Sequence, residues 1–314
     1  MSYRFPRWVA NLDYGYLLPM ISKLPLWAAR PCWVARGVVN FMLDWDWRTF
    51  SLGHGYVRGA TFRAMCALLR PHPKLPHPFF LTLLRFVCMS REEVDCLRLS
   101  TLDYSKVNYR VSGLEYLQQA QRDRAGVILV TAHFDSLYIG LVLMARAGLK
   151  INLMSTRITD DPSVPSAISN HFETKVSSLN RLLSPGQVRN HEDNMHFFVK
   201  ALKRGEIVVI AGDGPATTSG RSQAVNFLGR KRYMSAGPQF LAQSTNSFLA
   251  SYTNQLSSDG CFDISISLPT RLAEGGLQSA YSALEAQILM QPWRWWAADL
   301  MQAYAVESIL PDVS

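Results

Sequence analysis

The chain has 314 residues, of which 48% are apolar and 18% charged, with 19 glycines and 16 prolines. That composition supports a large buried core and excludes a disordered chain, a collagen and a coiled coil. With 32 Lys and Arg against 24 Asp and Glu, the formal charge is +8, which suits an anionic partner such as phosphate, an acidic carrier protein or a lipid surface.

Residues 1–110 read as a helical N-terminal region of short helices separated by Pro and Gly, followed from Val111 to the C-terminus by a second unit. The helical region is strongly apolar and aromatic, as in Tyr16-Leu17-Leu18-Pro19-Met20 and Leu24-Pro25-Leu26-Trp27, and is interrupted by Arg7, Lys23, Arg30, Arg36 and Arg70. A basic, Trp-bearing segment of this kind can lie in a membrane interface. The plainer reading, a helical subdomain packed on the rest, is favoured because buried aromatics are common. No apolar run reaches the roughly 18 residues that a membrane-spanning helix needs. Ser90 followed by Glu92 and Glu93 reads as a helix start. The cysteines (Cys32, Cys66, Cys88, Cys96 and Cys261) are odd in number and widely spread, without a CxxC pair or a secretory signal ahead of them. A disulfide framework is therefore not expected, and a reducing, cytoplasmic setting is.

From Val111 the pattern changes. The run 126–131 (Gly-Val-Ile-Leu-Val-Thr) suits a buried parallel strand, and a helix follows through Met144. Ile151 to Met154 is the next strand, followed by helices from about Val164 to Leu183 and from Asp193 to Arg204. Gly205 stops the second of these before the strand Glu206 to Ala211. Beyond a polar loop come Ala224 to Phe227, a helix from Pro238 to Ser244, strands near Phe248 to Thr253 and Phe262 to Ser267, and a last helix from about Leu277 to Met290. The alternation predicts an α/β fold: a mostly parallel central sheet flanked by helices, with the helical N-terminal region attached.

In such a sheet, functional groups gather where strands end and helices begin. Two segments occupy such places, Thr131-Ala132-His133-Phe134-Asp135-Ser136-Leu137-Tyr138 and Ala211-Gly212-Asp213-Gly214-Pro215. A histidine there titrates near neutrality and can take a proton from a hydroxyl or amine as it attacks an acyl carbon. Asp135 could orient it, or could simply cap the next helix. Gly212, Gly214 and Gly220 offer a loop with free N–H groups, but the Gly-Lys-Ser/Thr ending of a P-loop is absent. His191, Glu192, Asp193 and His196 do not form a zinc signature, so no metal is expected. Gly-x-Ser-x-Gly is missing too, which argues against a serine nucleophile, and no nucleic-acid motif occurs.

Val111-Ser112-Gly113-Leu114-Glu115 and the run through Thr131-Ala132-His133-Phe134 resemble the bacterial lipid A biosynthesis acyltransferases, of the lysophospholipid acyltransferase superfamily. The similarity continues colinearly through Arg157, the segment from Gly205 to Asp213, Val225-Asn226-Phe227-Leu228-Gly229, Gly237-Pro238 and Pro292-Trp293-Arg294-Trp295. It extends from about residue 108 to residue 297. The resemblance implies transfer of an acyl group from an acyl carrier protein or coenzyme A thioester to a hydroxyl or amine of a glycolipid. No cofactor is needed beyond the phosphopantetheine thioester as co-substrate. His133 is the implied general base, on a protein of the cytoplasmic face of the inner membrane that meets an acidic carrier protein and an anionic lipid surface.

The family signature is His-x4-Asp/Glu, and this chain has Tyr138 at the carboxylate position. Asp135 is preferred as the replacement and Asp213 stands next; His133 acting without a charged partner is a third reading. On the resemblance, Arg157, Arg230 and Lys231, with Arg221 and Arg232, bind phosphate groups of donor or acceptor; Arg suits phosphate through its two-pronged donor geometry. The equal alternative for Arg230-Lys231-Arg232 is a solvated turn. Tyr138, Gly212 and Gly214 are expected beside the substrate. The broken signature admits two further readings: a soluble tailoring acyltransferase acting on a carrier-bound specialised metabolite, and a non-catalytic acyl-binding protein.

Overall fold

A computed structural model describes residues 6–51, 56–69, 76–157, 161–216 and 221–306. Arg70 and Gly220 lie outside the described residues. The strands are β1 (Tyr109–Ser112), β2 (Val127–Thr131), β3 (Ile151–Ser155), β4 (Val188–Asn190), β5 (Ile207–Ala211), β6 (Ser222–Phe227), β7 (Arg230–Ser235), β8 (Phe248–Leu256), β9 (Phe262–Ile266), β10 (Thr270–Arg271) and β11 (Ala305–Val306). The main sheet runs in the order β1-β9-β8-β2-β5-β3-β4, with β10 beside β8. Its pairs are parallel except β8 with β9 and β10 with β8. A separate antiparallel sheet has the order β11-β7-β6.

β2 lies at the centre and all five of its residues are buried. Its side chains alternate between two cores, as a period of two requires. Ile128 and Val130 join Phe198, Leu241 and Leu284 on one face, while Val127 and Leu129 join Leu117, Leu141 and Leu179 on the other. Helices therefore cover both faces of the sheet, as the strand–helix alternation predicts.

Among its described residues the N-terminal region up to Arg98 is built of helices and short turns, and it is tied to the rest of the chain by buried charge. Helices Leu26–Leu43 and Pro78–Arg98 cross where a Cβ on Gly37 would stand only 2.5 Å from the Val87 Cα, so only glycine permits this approach. The Arg36 guanidinium forks onto Asp13 at 2.7 Å and reaches Glu93 at 2.6 Å. Arg85, fully buried, donates to Asp46 at 3.0 Å and to the Trp296 carbonyl at 2.9 Å, and Arg48 donates to Asp299 at 2.7 Å. The helical region thus holds the segment around Trp296 in place.

Three expectations need correction. Ser90, Glu92 and Glu93 do not start a helix but lie inside helix Pro78–Arg98, which His77 caps and Pro78 opens. The Glu93 carboxylate is spent on Arg36 rather than on a helix end. Arg230-Lys231-Arg232 is strand, not turn: the turn is Leu228-Gly229, where both residues have positive φ, and Arg232 is buried with its Nε donating to the Phe227 carbonyl at 2.8 Å. Asp193 is not the cap of the helix expected there: the backbone is non-helical at Asn194, whose side-chain oxygen accepts from the Phe197 N–H at 3.0 Å, so the helix that runs to Lys203 starts one residue later, after a separate turn from His191.

Candidate active site

β2 and β5 are parallel neighbours in a register that sets Thr131 beside Ala211. Two residues beyond those strand ends, His133 and Asp213 stand level with each other. Gly212 carries the chain between them, its N–H donating to the Thr131 carbonyl at 2.7 Å and its own carbonyl accepting from the Tyr281 hydroxyl at 2.8 Å. A Cβ at Gly212 would lie 2.5 Å from the Val130 side chain, so this position needs glycine.

The Asp213 carboxylate is buried and receives three donors. His133 Nδ1 lies 2.8 Å from Oδ1, and the His133 backbone N–H and the Trp295 indole N–H both reach Oδ2 at 2.8 Å. Burial alone would raise the Asp213 carboxyl; the His133 ring and these hydrogen bonds outweigh it and hold the group below the usual carboxylate range. An ionised Asp213 accepts from Nδ1–H, which leaves Nε2 as the basic nitrogen. Among the described residues Nε2 has no hydrogen-bond partner, and the His133 side chain keeps 32% of its surface open. Trp296 packs edge-on against the imidazole with ring centres 4.9 Å apart, and its backbone N–H donates to the His133 carbonyl at 3.0 Å.

Asp135, the carboxylate preferred from sequence, faces elsewhere. It has φ +44, is fully buried, and pairs with Arg91 through Oδ1 and Arg294 through Oδ2. The Leu256 N–H also donates to Oδ2, at 3.1 Å, and the Ser136 hydroxyl to Oδ1, at 3.1 Å. The structure therefore joins His133 to Asp213 and leaves Asp135 to lock the strand–helix turn. Two residues from His133 was too short a step: the intervening backbone turns the Asp135 side chain into a nest of arginines.

The remaining expected positions are scattered around this pair. Tyr138 lies in helix Leu137–Arg146, half-buried, and its hydroxyl accepts from the Lys175 ammonium at 3.3 Å. Gly214 stands beside Asp213 in open space. Arg157 follows β3, two strands from β2, and its guanidinium is bound by Asp193 on the surface. Arg230 and Lys231 are exposed at the turn end of the β6–β7 hairpin, while the other end of β7 bridges Met234 to Pro215. Sequence reading missed Trp295, Trp296, Tyr304, Arg91 and Arg294 as the frame of the site. Trp295 and Arg294 belonged to a recognised motif, but only the chain's path shows that this motif closes over Asp213 and Asp135. Among the described residues no group of three or more His, Cys, Asp or Glu side chains is placed to hold a metal ion.

A family model described as bacterial lipid A biosynthesis acyltransferase matches residues 86–295, from inside helix Pro78–Arg98 to Trp295. No curated protein matches the chain.

Proposed function

Since the chain belongs to the bacterial lipid A biosynthesis acyltransferase family, an acyltransferase family, we propose that it moves an acyl group from a carrier-protein or coenzyme A thioester to a hydroxyl or amine of a glycolipid, with His133 as general base and Asp213 orienting it. The observation that carries this reading is the His133–Asp213 pair, which fixes the imidazole with its basic nitrogen unpartnered at the end of the central strand. The acceptor O–H or N–H gives its proton to Nε2 as its oxygen or nitrogen adds to the thioester carbonyl. The tetrahedral oxyanion then collapses, the C–S bond breaks, and the imidazolium returns its proton to the departing thiolate. The products are an ester or amide and a free thiol, and no acyl-enzyme forms. Asp213 stabilises the imidazolium throughout.

In this reading Arg157 takes the phosphate of the phosphopantetheine arm in exchange for Asp193. That surface pair is half-exposed and correspondingly weak. Arg230 and Lys231 add positive charge on the β6–β7 hairpin, suited to an acidic carrier protein. Gly214 leaves room beside the pair for the bound substrates.

The lipid acceptor is supported by the surface of the helical region. Trp8, Leu12, Tyr16 and Met20 recur every four residues on one helical stripe and are all exposed, and Trp27, Val34 and Met42 are exposed on helix Leu26–Leu43. Lys23 and Arg30 are exposed among them. A monomeric protein rarely leaves an apolar face of this extent to water; with basic flanks, it suits an anionic membrane interface. Among the described residues no helix is long and apolar enough to cross a membrane; the attachment proposed is through this face. This face favours a lipid over a carrier-bound metabolite as acceptor.

The test is thiol release and product mass with lauroyl and myristoyl thioesters of carrier protein and coenzyme A, each with a glucosamine-based lipid acceptor in detergent. Acylated lipid formed by the native protein and not by His133→Ala supports the reading. Turnover unchanged in a folded His133→Ala variant removes His133 from the chemistry.

A further inference from the structure

An open cleft of about 490 Å³ lies between the first helical segment and helix Ser166–Leu182. It is distinct from the His133 site, since its walls come from residues 11–19, Leu97 and residues 166–174, and none from the ends of β2 or β5. Its volume falls in the range of about 300–1,000 Å³ usual for small-molecule sites.

The wall chemistry selects the ligand. Asn11, Tyr16, Ser166 and Asn170 line the cleft, and among the described residues no charged side chain does. Amides and hydroxyls both donate and accept, as a sugar hydroxyl requires, and the tyrosine rings offer faces for a sugar ring. This wall has polar valence to spare at the start of helix Ser166–Leu182; the unpartnered Nδ1 of His171, another wall residue, is itself buried and does not open to the cleft. Helix Ser166–Leu182 begins at the cleft behind Pro165 with no side-chain cap; the Pro165 carbonyl takes the Ile168 and Ser169 N–H groups, which leaves those of Ser166 and Ala167, both on the cleft wall, without a partner in the helix.

An uncapped helix start by itself would attract an anion, but the surroundings add no net positive charge to hold one. Behind Tyr14 stand Asp13 and Glu93 on Arg36, and Lys175 acts on His171 from the same helix, so the nearby acids and bases balance. Burial, helped by Lys175 and Arg36, pushes His171 down to about 3, so the ring is neutral at physiological pH. The backbone along one wall is also unusual, a π-helical stretch from Asp13 to Leu17, and such turns are found frequently at functional sites.

Tyr16 belongs both to this wall and to the exposed apolar stripe that runs through Leu12 and Met20. A head group in the cleft would therefore have its tails beside the membrane-facing surface. We propose that this cleft binds the neutral, hydroxyl-rich head group of a membrane glycolipid, as a second lipid site apart from the catalytic pair; the assignment rests on the membrane-facing reading above.

The experiment compares octyl glucoside, octyl phosphocholine and methyl glucoside, all below their micelle thresholds, by NMR titration of the full chain. The variants are Asn170→Ala and Gly15→Phe; a Cβ at Gly15 lies 3.8 Å from the Ala167 Cβ, so the Phe ring fills the cleft from a position that tolerates a side chain. Octyl glucoside should saturate the native protein, bind roughly three- to tenfold more weakly to Asn170→Ala, and not bind Gly15→Phe. Octyl phosphocholine should not compete. Equal binding of both head groups, or octyl glucoside binding unchanged in both variants, overturns the proposal. Methyl glucoside binding as tightly as octyl glucoside would make the ligand a free sugar and overturn the lipid assignment. Thioester turnover and vesicle binding are measured on the native protein in parallel: no octyl glucoside binding with both of these present rejects the cleft alone, whereas their absence rejects the functional reading on its own.

Discussion

His133 and Asp213 are 80 positions apart in sequence, yet their Nδ1 and Oδ1 atoms lie 2.8 Å from each other. The parallel register that pairs Thr131 with Ala211 makes this contact: each strand runs two residues further, and the residues that follow stand side by side. A parallel sheet thus brings together what no local motif contains, and the carboxylate that meets His133 comes from the neighbouring strand.

Asp213→Asn should separate orientation from folding. The amide keeps the size of the carboxylate but no longer fixes Nδ1–H or stabilises the imidazolium, so kcat should fall roughly 10²–10⁴-fold with little change in KM. His133→Ala should fall by a similar factor, and the double variant should be no worse than the more impaired single one, because the two act as a unit. Steady-state kinetics on the three variants decides this, and losses that multiply in the double variant would break the pairing.

Asp135→Asn should behave in the opposite way. Its carboxylate is buried between Arg91 and Arg294, and removing the charge leaves two guanidinium groups without their counter-ion. Breaking a buried pair of this kind costs about 3–5 kcal/mol. The melting temperature should fall by several degrees, while kcat, measured well below that melting point, stays within a few-fold of the native value. A large kcat loss at unchanged stability would return Asp135 to the chemistry.

The contrast between these two aspartates shows what the sequence carried. Apolar, β-branched runs such as Val127 to Thr131 and Ile207 to Ala211 are legible because burial on both faces leaves no polar period. His133 and Asp213 were both legible as strand-end residues. Their pairing was not, because it depends on which strands are neighbours, and strand order is not a local property. The reading of Asp135 erred because a positive φ at that residue turns its side chain away from the histidine. Short or charged strands, β4 and β7 among them, escaped because neither length nor apolar content marks them.

The exposed stripe on the first helices should carry membrane affinity. Met20→Asp and Trp27→Asp each remove a large apolar side chain from the interface and add a charge of the wrong sign for anionic lipid. Each should weaken sedimentation with phosphatidylglycerol vesicles roughly ten- to a hundredfold, the worth of one buried apolar side chain. Thioester turnover with a detergent-dispersed acceptor should be unaffected. Vesicle binding indifferent to both substitutions would mean that another surface meets the lipid.

A last expectation concerns pH. Glu92 is buried on helix Pro78–Arg98 with Oε2 unpartnered. Burial and then the neighbouring Asp95 push its carboxyl from 4.5 up to about 8, against the opposing pull of Arg91 and Lys175 and a hydrogen bond from Cys96. The folded protein therefore holds a proton on Glu92 that the unfolded chain releases near pH 4.5. This contribution is fully present below that pH and is lost as pH rises towards about 8, at up to about 1.4 kcal/mol per pH unit. Asp95, raised by burial from 3.8 to about 6, adds the same sign over a lower window. Glu92→Gln keeps the neutral shape without the titration. Its melting temperature should match that of the native protein near pH 5 and exceed it increasingly towards pH 9. A difference between the two proteins that stays constant across this range would show that Glu92 does not titrate there, with Lys175 close enough to keep it ionised.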